Sequence, residues 1–555
     1  TAAAAGLPRG RSGRWPGERW AARLAALASG ALLALAFPGP ALWWLALVGL
    51  VPLLLLAAAA PHGREAALLG WLGGVGFFLA VNAFLIPKVG PFMVPLAMLL
   101  AALWLPLGWL ARRLLGRRDG AEPGAGRLAA ALVLLPSAVV VGEALRSWDR
   151  LGGPWGLLGA SQWNQPRLLS VAARGGVGAV SFLLVAVNVA VAAALAGGVA
   201  ARDRLLAGAV AVALPLGAVG WWALRPPPPS AGTARVALVQ PGVIGPVEAR
   251  FRASETRSLR LAADRTPVDL VVWGESSIGR DPSANPGDTA RLVAVARATG
   301  APVLANVDAQ RGAGGGIYKS ALLVGRDGPI GSYDKMRLVP FGEYVPLRPL
   351  LGWVTHFTDA AKVDRHRGTH LTVLPAGRLA VGPLICFESA FPDLARNLAA
   401  RGADLVVVQT ADTTFQDSWG PAQHASLAAV RAVEAGRPVA QAAISGVSAA
   451  FDARGRRLAW QATSWKGVAV VQLPLSRERT PYVRTGDWLP VAAALALAAG
   501  ALVESTRTGG RRRSTAGPGG ATLRGPGTER PAGQLGVATD HGRAYPTHRD
   551  PHQRR

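Results

Sequence analysis

The chain has 555 residues, 50% of them hydrophobic, a single cysteine, and 59 Lys and Arg against 33 Asp and Glu, for a formal charge of +26. These figures exclude a disulfide-built scaffold, a mainly disordered chain and a small single domain. The basic residues gather beside apolar runs and in the tail, where membrane topology and anionic headgroups account for them, so no nucleic-acid partner is expected.

Seven apolar stretches precede residue 225: about Arg23–Phe37, Ala41–Ala60, Ala66–Ile86, Pro91–Ala111, Leu128–Leu145, Val177–Val199 and Leu205–Leu224. An eighth runs from about Trp488 to Val503. Several approach the roughly 20 residues that a helix needs to cross the hydrocarbon layer, which predicts a multi-pass α-helical bundle of about eight spans. Trp43, Trp44, Trp71, Trp109, Trp221, Trp222 and Trp488 fall near span ends, as interfacial anchors do.

Short-loop charge predicts the orientation. Arg9–Arg23, Arg112–Arg127, Arg202 with Arg204, and Arg507 with Arg511–Arg513 fall on one side if the spans alternate. The opposite short loops carry only Lys88, while the longer 146–176 connection holds four Arg. Both termini are therefore expected in the cytoplasm, with the long 225–486 segment outside it, and the first apolar run reads as a span rather than a cleaved signal. The expected organisation is a basic arm over 1–22, spans over 23–224, a soluble domain over 225–486, a last span over 487–503 and a disordered basic tail over 504–555.

Pro226–Pro229 is a stiff linker into that soluble domain. Short β-type runs follow at Ala234–Gln240, Asp269–Trp273, Pro302–Val307, Ser320–Val324, Leu379–Ile385, Asp404–Gln409 and Gly467–Leu473. Helix-like stretches lie between several of them, at Arg252–Asp264, Ala290–Thr299, Leu394–Ala400 and Ala422–Ala435. This alternation predicts a layered α/β domain with reactive side chains at strand ends.

Cys386 closes the apolar run Leu379–Ile385 and opens Cys386-Phe387-Glu388-Ser389. An isolated free cysteine is most often a buried structural residue, and outside the cytoplasm it is a liability unless buried or used. Glu275 follows the apolar run Asp269–Trp273, a position where burial is expected to raise its pKa toward that of a general base. Lys335 sits in the charged and aromatic stretch Tyr333–Pro346, which reads as a structured loop. Taken singly, Glu275 and Lys335 read as ion-pair residues. With Cys386 they supply a base, a cation for an oxyanion and a nucleophile, the minimum for covalent acyl transfer.

In this order the three segments resemble the Glu-Lys-Cys triad of the nitrilase superfamily, and Lys335–Pro346 resembles the K-x-x-L-V-P-F-G-E-Y-V-P signature of the apolipoprotein N-acyltransferases. Pro154-Trp155, Gly159–Gln162, Gly420–His424 and Arg431–Pro438 add further matches. The resemblance covers about residues 20 to 503. It implies an eight-helix bundle in the bacterial inner membrane, with an extracytoplasmic nitrilase-like α-β-β-α sandwich inserted before the last span. It also implies Cys386 as nucleophile, Glu275 as base and Lys335 as oxyanion-stabilising cation. Glu343 and Glu388 would support the site, with Phe387 and Tyr344 beside them as substrate-binding positions. The implied reaction moves an acyl chain from a phospholipid through a Cys386 thioester to the amine of a diacylglyceryl-cysteine lipoprotein, by a monomer without cofactor.

Several positions depart from that pattern: Val239–Gly242 lacks an Asn, Phe387 replaces a Tyr, Ala411–Thr414 replaces Asn-Asp-x-Trp, and Ile444–Gly446 replaces Asn-Asn-Gly. A membrane-tethered amidase and a non-catalytic module remain the alternatives. His356, His366, His370 and His424 read as structural or surface residues without a metal-ligand pattern. Gly312–Gly316 and Trp353–His370 are lid candidates, and Glu143 is expected to pair with Arg146 or to line a lipid path.

Overall fold

The computed structural model describes residues 16–117, 121–148, 153–197, 199–311, 315–356 and 363–514. The expected arm up to residue 15, the tail from 515, and parts of both lid candidates, 312–314 and 357–362, lie outside the described residues.

Among those residues, seven helices are long and apolar enough to cross a membrane, and an eighth apolar helix, Leu45–Ala58, is shorter. In chain order they are α1 (Pro16–Leu33), the short α2 (Leu45–Ala58), α3 (Gly63–Val81), the run α4 (Ala83–Leu115), α5 (Ala125–Arg146), α6 (Ala172–Leu195), α7 (Ala201–Leu224) and a C-terminal helix, Trp488–Ser514. The protein is a membrane protein. Apolar side chains on the outer helices, such as Leu216 at 62% and Leu495 at 66% exposure, have only lipid to cover them.

Close packing inside the bundle rests on small residues, because lipid offers no hydrophobic drive between helices. A Cβ at Gly30 would stand 1.8 Å from the Gly73 carbonyl oxygen, so α1 and α3 approach to backbone contact. The short α2 is broken near Gly49, and Asn188 of α6 serves the loosened backbone: its amide donates to Ala46 O at 2.8 Å and its Oδ1 accepts from Leu50 N at 2.9 Å. Past the apolar edge of the C-terminal helix the helical ladder continues from Glu504 to Ser514, where disorder was expected.

The soluble domain contains two six-stranded sheets. The first has the order β12-β1-β2-β3-β4-β5, with β1 (Ser230–Gln240), β2 (Leu270–Trp273), β3 (Val303–Gln310), β4 (Ile317–Gly325), β5 (Gly328–Asp334) and β12 (Gly467–Ser476). The second has the order β11-β10-β9-β8-β7-β6, with β6 (Leu374–Ala376), β7 (Leu379–Ile385), β8 (Leu405–Thr410), β9 (Val439–Ala443), β10 (Ala449–Phe451) and β11 (Arg457–Trp460). Helices α8 (Val247–Ala263) and α9 (Pro286–Thr299) pack on the first sheet, and α10 (Pro392–Ala400) and α11 (Gly420–Ala435) on the second. Strands β8 and β9 are buried throughout, which is why they read as unbroken apolar runs rather than alternating ones. Gln409 stitches the sheets together, donating to Trp273 O at 2.9 Å and to Leu304 O at 3.0 Å. The carboxyl ends of β2, β3, β7 and β8 thereby meet at one edge.

Helix α11 joins the domain to the bundle. Gly175 and Gly176 kink α6, and the freed Val177 amide donates to Glu434 Oε1 at 2.6 Å, while Arg431 Nε lies 2.9 Å from Oε2. Burial pushes the Glu434 carboxyl up to about 7 against the pull of Arg431 and the Val177 amide. The folded chain therefore binds more protons than the unfolded one between about pH 4.3 and that value, and stability falls as pH rises through this window. Glu434→Gln is expected to flatten the pH dependence of Tm between about pH 5 and 7, and a slope identical to wild type would refute the assignment.

Candidate active site

Each reactive side chain ends a strand. Cys386 follows β7 and takes φ +54°, a left-handed conformation that costs on the order of 1 kcal/mol and holds only where its surroundings enforce it. Glu388 does the enforcing. Its Oε2 accepts from Ile385 N at 2.8 Å, and its Oε1 accepts from Tyr333 Oη at 2.7 Å, Met336 N at 2.7 Å and Arg337 N at 3.1 Å. One buried carboxylate thus ties the cysteine turn to the segment that carries Lys335.

Glu275 follows β2, where Gly274 lies so close to β9 that a Cβ would meet Ile444 N at 2.0 Å. Glu275 N donates to Thr410 O at 3.1 Å, and the next residue, Ser276, also sits at positive φ, its amide donating to Asn306 Oδ1 at 2.8 Å. Glu275 Oε1 accepts from Lys319 Nζ at 2.7 Å and Lys335 Nζ at 3.2 Å. Lys335 Nζ donates to Glu343 Oε1 at 2.8 Å, and Lys319 Nζ stands 3.1 Å from the same oxygen. Asp308, 3.7 Å from Lys319, is held by Arg365 at 3.2 Å. Three cations therefore face three carboxylates around one half-buried thiol.

These charges reverse one expectation. Burial by itself would raise the Glu275 carboxyl, but the Lys319 and Lys335 ammoniums overcome it and hold the carboxyl well below the usual range. Burial, and then the Glu275 charge, pushes the Cys386 thiol up, with Lys335 opposing. Lys335 would lose its proton affinity on burial, yet Glu275 and Glu343 hold it above the ordinary value. With the thiol pushed up and the Glu275 carboxyl held down, the resting pair is a neutral thiol beside a carboxylate, and passing the thiol proton to Glu275 leaves the total charge unchanged.

Of the residues singled out from sequence, Glu275, Lys335, Cys386, Glu343 and Glu388 come together here. Phe387 packs beside the turn, with its ring centroid 5.2 Å from that of Phe391 and 6.5 Å from that of Trp155. The Tyr344 ring instead lies under the Arg367 guanidinium at 5.0 Å. Lys319 and Asp308 went unnoticed because a single polar residue in a strand carries no motif, although both sit on facing positions of β3 and β4.

Of the two readings given for His424, structural or surface, the structural one fits: it is buried, with Nδ1 at 2.8 Å from Asp412 Oδ1 and Nε2 at 3.0 Å from the Cys386 carbonyl. Trp155, from the loop after α5, covers it edge-on and donates to Gln423 Oε1 at 2.8 Å. That loop is set by two α5 residues, for Glu143 accepts from Leu158 N at 2.6 Å and Arg146 donates to the Trp155 and Gly156 carbonyls. Burial lowers the His424 pKa, but Asp412 and the Cys386 carbonyl raise it to a net value above the ordinary one. Its stabilising contribution is thus fully present below about pH 6.5 and lost as pH rises through the folded value. His424→Ala strands Asp412 and is expected to cost about 3 kcal/mol or more in unfolding experiments, while His424→Gln, which keeps a donor for the Cys386 carbonyl, should recover part of it.

Among the described residues no group of three His, Cys, Asp or Glu side chains is arranged to hold a metal ion.

Comparison with known proteins follows the same division of the chain. Residues 29–190 match the apolipoprotein N-acyltransferase N-terminal domain and residues 235–480 the carbon-nitrogen hydrolase family. Apolipoprotein N-acyltransferase of Azotobacter vinelandii is 34% identical over 551 residues, covering 91% of this chain and 98% of that one. The corresponding proteins of Allorhizobium ampelinum, 33% identical over 500 residues, and Pseudomonas syringae pv. tomato, 32% over 502, cover 82% and 86% of this chain and 90% and 95% of theirs.

Proposed function

The chain belongs to the apolipoprotein N-acyltransferase family, and from that premise we propose that it acylates the amino-terminal amine of S-diacylglyceryl cysteine on lipoproteins, using a membrane phospholipid as acyl donor. The observation that carries this reading is the Glu275–Lys335–Cys386 constellation, a thiol under the charge of a carboxylate that is paired with a buried ammonium, in a chain with a membrane bundle.

In the first half-reaction Cys386 passes its proton to Glu275 and the sulfur attacks an ester carbonyl carbon. The C–S bond forms, the oxyanion develops against Lys335 Nζ, and the C–O bond breaks. The departing lysophospholipid alkoxide takes the proton back from Glu275. In the second half the lipoprotein amine attacks the thioester, Glu275 accepts the amine proton, a C–N bond forms as C–S breaks, and the returning thiolate is reprotonated. A thioester suits this sequence because amines attack it more readily than an oxygen ester. Glu343 neutralises the second ammonium charge, Glu388 positions the nucleophile turn, and Phe387 and Tyr344 are proposed to border the substrates.

We further propose that the domain over 225–486 faces the extracytoplasmic side of the bacterial inner membrane between spans over 23–224 and 487–503, with both termini in the cytoplasm and the chain acting as a monomer. Both substrates are bilayer-anchored lipids, which is the physical reason for joining a soluble catalytic fold to so many spans. The test is intact mass of the detergent-purified full chain after incubation with a defined phospholipid, then with a diacylglyceryl-cysteine peptide. The expected result is one fatty-acyl increment, released by hydroxylamine and moved to the peptide amine. An increment discharged by water with the peptide unmodified would favour an amidase-type hydrolase, and no increment a non-catalytic module.

A further inference from the structure

A cleft of about 630 Å³ opens where β7 begins, and its wall includes Arg378, Arg437, Arg477 and Arg479 with Asp404 as the acidic member. Cys386 lies at the other end of β7, a strand of seven residues away, or roughly 20 Å at 3.3 Å per residue. The cleft is therefore separate from the acyl-transfer centre.

Its arginines are unevenly matched. Asp404 is engaged by Arg477 Nε at 2.9 Å and by the Ala380 amide at 3.0 Å, and Asp269 by Arg378 at 3.0 Å. The neighbouring Glu478 carboxylate pairs with Arg225 at 2.5 Å. Arg437 is buried at 2% exposure and donates only to neutral carbonyls: Ala403 at 2.6 Å, Gly436 at 3.0 Å and Glu478 at 2.5 Å. Arg479 is exposed and forms no ion pair among the described residues. Burial lowers the Arg437 guanidinium below its ordinary value; Asp404 and Glu478 oppose this, while Arg479 and Arg477 reinforce it. A buried guanidinium short of a carboxylate beside a free one is a strong receiver for an oxyanion, since planar N–H forks match phosphate oxygens.

The cleft also lies against span ends. Arg225 immediately follows α7 and reaches Glu478, which stands between Arg477 and Arg479. The lining also includes Ala399 in the last turn of α10, and about one helical turn earlier Arg396 pairs at 2.9 Å with Asp487, the residue before the C-terminal helix. The cleft is thus tied by ion pairs to the ends of two apolar helices.

We propose that this cleft binds the phosphate of an anionic phospholipid headgroup, as a lipid site distinct from the acyl-transfer centre. The probe is dialkyl-ether phosphatidylglycerol, which has no acyl ester to acylate Cys386, with dialkyl-ether phosphatidylcholine and inorganic phosphate as comparisons. Native mass spectrometry of the full chain should retain one phosphatidylglycerol, with affinity falling about tenfold in Arg479→Gln and further in Arg477→Gln/Arg479→Gln, and weakening with salt. Arg479 is exposed and makes no ion pair among the described residues, so Arg479→Gln should keep the wild-type melting temperature without lipid, whereas the double variant, which also loses the Arg477 pair with buried Asp404, is read against Arg477→Gln alone. Equal retention of phosphatidylcholine, or retention unaffected by the double substitution, would overturn the proposal. Protection from thermal unfolding by inorganic phosphate that needs Arg479, with no lipid retained, would assign the chemistry to a soluble phosphate and overturn the lipid source.

Discussion

Replacing Cys386 with Ala is expected to abolish the acyl-enzyme and to lower transfer by roughly 10⁴- to 10⁶-fold, the loss seen when the nucleophile of a coupled triad is removed. The fold should survive. Glu388 anchors the turn through backbone amides of Ile385, Met336 and Arg337 that do not involve the thiol, so the melting temperature should stay within a few degrees of wild type. Cys386→Ser is the sharper control, because the hydroxyl is a far weaker acid in the same place. It should give at most a slow acyl-enzyme whose adduct, an oxygen ester, resists mild hydroxylamine. Rapid turnover by either variant, measured as acyl transfer to the lipidated peptide, would remove Cys386 from the reaction.

Glu275→Gln is expected to lower turnover by about 10²- to 10⁴-fold, and to do so while making the thiol easier to ionise. The Glu275 charge is one of the influences that raise the Cys386 pKa. Without it, Lys319, Lys335 and Arg365 face only Glu343 and Asp308, and a thiolate would complete the neutral balance. Iodoacetamide alkylation of Cys386 should accordingly shift to lower pH in the variant although catalysis fails, because the amide cannot carry the proton to the leaving alkoxide or from the amine. If turnover and alkylation fell together with an unchanged pH profile, Glu275 would be acting on nucleophile geometry alone.

The readings from sequence that matched the structure rest on local signals. Leu379–Ile385 and Asp269–Trp273 are apolar runs that must be covered on both faces, and a reactive residue placed directly after such a run emerges at a strand end. The span helices follow from the same logic with lipid as the solvent. Short strands such as Val439–Ala443 and Ala449–Phe451 escaped notice, because small residues around Gln441 and Ser448 give no clear period, and their register comes from pairing with each other and with their outer neighbours β8 and β11. Leu45–Ala58 reads as an ordinary span in sequence, yet it is shortened by a break that is stable only because Asn188, far along the chain, supplies the missing hydrogen bonds.

The amino-acid order alone determined where apolar surface must be hidden, and with it the membrane helices, the layered domain and the strand ends that hold Glu275 and Cys386. Only the tertiary structure decided the charge state of the centre. Lys319 reaches Glu275 from 44 positions away and, with Lys335, reverses the sign of its pKa shift, and Trp155 reaches Gln423 across 268 positions to cover His424. Hydrophobic burial depends on area and can be read from composition along the chain, whereas Coulomb and hydrogen-bond energies depend on distances of a few ångströms that exist only once the chain has folded.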